Sequence, residues 1–72
     1  MSDQEVATES VLQYHADSLG VDLDYLLDEG RESGLIRYDA AIRVGDETVH
    51  RYLIDGTLRE FIEWAERAVE AN

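Results

Sequence analysis

From Ile36 to Val44 the chain alternates. Ile36, Tyr38, Ala40, Ile42 and Val44 are separated by Arg37, Asp39, Ala41 and Arg43, the two-residue repeat of a strand with one buried face. Gly45-Asp46 fits a two-residue hairpin turn, so a second strand is predicted from Glu47 to about Ile54. Pairing Val44 with Glu47 sets Ile42 opposite Val49 and Tyr38 opposite Leu53 on one face, which is expected to be the core. The other face then carries His50, Tyr52 and Ile54, more apolar than a solvated face needs, and some cover is expected there: a helix, a second copy of the chain or a partner.

On either side of the hairpin the period is helical. Val11, Leu12, His15, Ala16 and Leu19 recur at three- and four-residue intervals, with Ala7 and Thr8 extending the stripe backwards. Ser2 and Glu5 have capping-box spacing, so a helix is predicted from about Asp3 to Leu19, stopped by Gly20. Asp22 is placed to cap a second helix with Leu23, Leu26 and Leu27 inward. Gly30 weakens its far end, and Gly34 terminates any extension. Thr57 and Glu60 form another capping box, ahead of Leu58, Phe61, Ile62, Ala65, Ala68 and Val69 in helical register. Glu63 and Arg67 have helix-pair spacing on the outer side, and Trp64 borders the stripe.

The expected architecture is therefore a single small α+β domain over residues 1–72, in the order α-α-β-β-α, with an antiparallel hairpin packed against helices. A lone hairpin is seldom stable, a core this short is marginal, and no cysteine is present to staple it. Homodimerisation is the expected completion.

Charge changes this picture. Seventeen carboxylates stand against six positive side chains, all arginine, for a net charge of −11. Roughly four lysines would be expected by chance and there are none. Such a domain repels itself in dilute buffer. Molar salt shortens the Debye length to about 3 Å and leaves the carboxylates mainly as hydration sites, so the composition reads as adaptation to salt, of the halophile type. The acids run along the whole chain, which suits the solvent explanation better than mimicry of nucleic acid. The first residues are acidic without an apolar run, and no stretch approaches a membrane span; a cytoplasmic protein without a membrane partner is expected.

Candidate chemistry is sparse. His15 lies on a core stripe, and His50 projects from the second strand beside Arg51. Ser2, Ser10, Ser18 and Ser33 lack a glycine-flanked elbow, and Gly30 and Gly34 lack the lysine or threonine of a phosphate loop. Asp22, Asp24, Asp28 and Glu29 form the densest acidic run, without the glycine and distal glutamate of a calcium loop. No enzyme activity, metal or cofactor is expected. The leading expectation is a homodimeric protein–protein interaction or regulatory module, partnered by itself or by another protein. Its candidate interface residues are His50, Tyr52, Ile54 and Trp64.

Leu19-Gly20-Val21-Asp22, Leu26-Leu27, Gly34-Leu35-Ile36 and the Arg43–Arg51 hairpin together resemble the second half of a winged helix-turn-helix domain. The resemblance covers about Leu12 to Leu53 and implies a DNA-binding regulator whose hairpin forms the wing, with Arg37, Arg43 and Arg51 as nucleic-acid contacts. Two helices rather than three precede the wing. The would-be recognition helix carries Asp24, Asp28, Glu29 and Glu32 where phosphate contacts call for arginine or lysine.

Overall fold

The computed structural model describes residues 4–71, in the order β1 (Gln4–Thr8), α1 (Glu9–Leu19), α2 (Leu23–Glu32), β2 (Ile36–Val44), β3 (Glu47–Asp55) and α3 (Leu58–Ala71). Three helices pack on one three-stranded antiparallel sheet of order β1-β3-β2. The domain is thus α+β with a strand first, not α-α-β-β-α.

That strand replaces the first two turns of the expected helix. Val6 and Thr8 are β-branched, and Gln4 to Thr8 pair with Asp55 to Arg51, giving β3 a second hydrogen-bonded neighbour. Ladder hydrogen bonds and burial of Ala7 outweigh the local helical pattern. Ser2, the expected cap, lies outside the described residues. Thr8 caps α1 instead, its hydroxyl accepting from the Val11 amide at 3.4 Å.

Gly20 closes α1 in the left-handed conformation (φ 75°), as its position predicts. Asp22 precedes α2 without a side-chain cap bond. The glycine at position 30 does not end that helix. It is buried, and a Cβ there would sit 2.6 Å from Ile36 Cγ2 and 2.9 Å from Phe61 Cε1. Gly30 therefore sets how closely α2 approaches β2 and α3. The chain then turns at Gly34 (φ 72°), with the Leu35 amide bonded to the Gly30 carbonyl at 2.9 Å.

The β2–β3 hairpin has the expected turn. Val44 pairs with Glu47, and Gly45 takes φ 63° while Asp46 stays at negative φ, the pattern of a type II′ turn. Ile42 faces Val49 as expected. Beyond that the register differs, because Asp39 is the extra residue of a β-bulge: Ala40 pairs with Arg51, and Tyr38 pairs with Tyr52 rather than Leu53.

The bulge moves the apolar residues of β2 between faces. Ile36 and Tyr38 share the helix side with Tyr52 and Ile54, while Ala40, Ile42 and Val44 fall on the opposite side with Val49, Arg51 and Leu53. The core joins Ala7, Ile36, Tyr52 and Ile54 from the sheet to Leu12, Ala16, Leu26, Leu27, Phe61 and Ala65 from the helices. Among the described residues it holds no buried charged group.

In α3, the Thr57–Glu60 capping box is present in full: the Glu60 amide donates to Thr57 Oγ1 at 3.1 Å, and the Thr57 amide donates to Glu60 Oε1 at 3.2 Å. Glu63 pairs with Arg59 (3.3 Å) rather than Arg67.

Candidate interaction surface

Four sheet residues enter the core, and all four belong to the face on which the helices pack. The other face carries no helix among the described residues. On it the register builds rows: Val6, Leu53 and Arg37; then Thr8, Arg51 and Ala40; then Val49 and Ile42; then Glu47 and Val44. Val6 is 50% exposed and Val44 58%, whereas Ala40, Ile42, Val49 and Leu53 are half-buried by their neighbours. Arg51 lies across the centre with its Nη2 3.1 Å from Asp39 Oδ2, so the bulge residue supplies a carboxylate to the middle of the sheet face. Arg51 Nε is enclosed there without a hydrogen-bond partner.

The charge on this face is nearly balanced. Arg37 and Arg51 oppose Asp39, Glu47 and Asp55, a balance of −1 against −11 for the chain. The acids therefore sit mainly on the helices and loops.

The expected interface residues are distributed differently. Ile54 has no exposed surface and Tyr52 is 9% exposed; both face the helices, so the chain's own α-helical layer supplies the cover anticipated over them. They have no surface to offer a partner. His50 lies on the same side of the sheet but nearer the hairpin tip, where its Nδ1 is 3.0 Å from the Tyr38 hydroxyl. Tyr38 also meets Tyr52 edge-on, with centroids 5.5 Å apart. Burial, reinforced by the Glu9 carboxylate and opposed by Arg31, raises the Tyr52 hydroxyl pKa above its ordinary value of 10.0. Trp64 is half-buried on α3, stacked on Phe61 at 5.5 Å and separate from the hairpin.

The hairpin arginines do not form one patch. Arg37 and Arg51 share the open face, Arg51 already engaged by Asp39, while Arg43 pairs with Thr48 on the opposite side near the tip. α1 and α2 are joined by the three-residue, glycine-containing turn Gly20-Val21-Asp22, as in a helix-turn-helix. The exposed surface of α2 carries Asp24, Asp28 and Glu32, with Glu29 half-buried, against Arg31, which is itself paired to Asp28 at 2.7 Å.

His15 borders a shallow groove between α1 and α3 with Leu58, Arg59, Ile62, Glu63 and Glu66, apart from His50. Among the described residues, no three histidine or carboxylate side chains gather as a metal site. No helix among them is long and apolar enough to cross a membrane.

Sequence reasoning missed the open face because it placed Ile42, Val49 and Leu53 in the core. The adjacent alanines, Ala40 and Ala41, were the one local sign that the alternation breaks. Comparison with protein-family models, characterised proteins and solved structures finds no match for this chain.

Proposed function

We propose that this chain is a non-catalytic interaction or regulatory module of a salt-adapted cytoplasm, working as a homodimer. The observation that supports it is the open sheet face, where Val6, Ala40, Ile42, Val44, Val49 and Leu53 share a surface nearly balanced in charge on a chain of net charge −11. Carboxylates elsewhere hold water and keep copies apart. A face on which arginine and carboxylate nearly balance is where another molecule can be held with the least repulsion. Among the described residues, no constellation of nucleophile, base and orienter accompanies it. Mass in solution, measured from about 0.1 to 3 M KCl, tests the proposal, with the dimer expected to gain population as repulsion is screened over a Debye length falling from about 10 Å to below 3 Å. A folded monomer throughout that range and at high concentration sinks it.

A reduced winged-helix regulator is the second reading. It draws support from the glycine turn between α1 and α2 and the hairpin that follows. Arg37, Arg43 and Arg51 would contact nucleic acid, against the repulsion of the acidic α2 surface. Selection of bound fragments from genomic DNA in molar KCl decides it, and a flat, sequence-independent yield removes it.

A further inference from the structure

We infer that two copies associate through their open sheet faces, back to back about a two-fold axis near Arg51, to give four layers with the helices outside. The inference rests on the homodimer reading and names the surface and register that reading leaves open.

Three features of the face fit a second copy. The first is its internal layout. Arg51 occupies the middle of the central strand's outward row, Glu47, Val49, Arg51, Leu53 and Asp55, with Val49 on one side of it and Leu53 on the other. A two-fold axis there, lying between the sheets and across the strands, lays Leu53 of one copy on Val49 of the other, sets Arg37 beside Ile42, and brings the two Arg51 side chains together on the axis. It also brings each Arg51 near the second copy's Asp39 as well as its own. A self-complementary patch of this kind is what an isologous interface requires.

Charge is the second feature. Two copies of net charge −11 meet with least repulsion where the local balance is −1, and the two exposed ends of the central row, Glu47 and Asp55, stay at the rim.

Area is the third. With strands about 4.8 Å apart and a rise near 3.3 Å per residue, a face of two nine-residue strands and one of five residues spans about 360 Å² in projection. Once side-chain relief is counted, this approaches the lower end of specific interfaces, near 600–800 Å² per partner. Such an interface gives a concentration-dependent dimer. Stacked sheets lie about 10 Å apart with strands near −30°, which sets Val49 of one copy over Leu53 of the other.

The absence of cysteine from the chain makes the test direct. Val49→Cys, Leu53→Cys and Tyr14→Cys are prepared singly, the last on α1 where Tyr14 is 68% exposed. In 2 M KCl, mass is measured for the parent chain, and pairs of variants are mixed with a bismaleimide of about 8 Å span. The inference expects a dimer whose dissociation constant tightens at least about tenfold between 0.1 and 2 M KCl, as the repulsion is screened. It also expects rapid cross-linking of Val49→Cys to Leu53→Cys, and none with Tyr14→Cys. A dimer with no cross-link between the sheet positions overturns this inference while the homodimer reading stands. A monomer throughout, at millimolar concentration and with native circular dichroism, overturns both and leaves the face to a different partner. Val44→Glu, at the exposed end of the hairpin and away from the core, serves as the second variant. It is expected to weaken association at least about tenfold with the thermal transition of the isolated domain preserved.

Discussion

Gly30 stands so near Phe61 that a Cβ added to it would lie 2.9 Å from the ring's Cε1, and only 2.6 Å from Ile36 Cγ2. α2, β2 and α3 meet at this point, and hydrogen is the only side chain that lets them meet. Gly30→Ala raises helix propensity by about 1 kcal/mol, but overpacking costs about 1–3 kcal/mol. A net loss of up to about 2 kcal/mol is expected in urea unfolding at molar KCl. A more stable variant would show that the three elements separate freely.

Tyr52 keeps its proton to higher pH in the folded chain than in the unfolded one, because burial and Glu9 disfavour the phenolate. Its contribution is therefore complete below pH 10 and is lost as pH rises through the folded-state value. Stability is expected to fall above pH 10, and Tyr52→Phe to flatten that fall. The check is the thermal midpoint between pH 9 and 11.5; identical alkaline slopes for parent and variant would count against it.

The α3 cap separates two roles. Thr57→Ala removes the hydroxyl that accepts from the Glu60 amide and is expected to cost about 1 kcal/mol. Glu60→Gln keeps an acceptor for the Thr57 amide and should lose much less. Equal losses from the two would mean that charge at the helix start matters more than the reciprocal hydrogen bonds.

Asp39 can be deleted with the register intact. Tyr38 and Ala40 already pair with the adjacent residues Tyr52 and Arg51, so without Asp39 they become ordinary neighbours on opposite faces. The deletion forfeits the partly exposed Arg51 ion pair, worth about 0–1 kcal/mol, and some curvature. A cooperative transition within about 2 kcal/mol of the parent is expected. Deleting Leu53 from the central strand instead turns Ile54 away from the core, and that chain should not fold. Loss of folding in the Asp39 deletion would assign the bulge a structural task beyond register.

The elements most visible in the sequence were those fixed locally: the Thr57–Glu60 cap, the left-handed Gly20, and the Gly45-Asp46 turn with Ile42 opposite Val49. β1 was hidden, since Gln4 to Thr8 becomes a strand only because β3 offers it a ladder. Its local sign is no more than β-branched Val6 and Thr8. The face assignment failed for a related reason. One extra residue at Asp39 reverses Ala40, Ile42 and Val44 relative to Ile36, and alternation alone does not reveal which half of a strand meets the helices. Tyr52 and Ile54, read as a surface awaiting cover, lie in the core, while the aliphatic residues assigned to the core form the surface.

β1 and β3 also impose an order of events during synthesis. The helices α1 and α2 and the β2–β3 hairpin are built from contacts between near neighbours and can form as the chain emerges. β1 leaves the ribosome before all of them, yet its ladder partners, Arg51 to Asp55, follow only after both helices and most of the hairpin. Until then Val6 and Ala7 are an unpaired strand beside an unfinished sheet. The acidic coat, spread over nascent chains as well, holds water around them and so guards that strand while it waits.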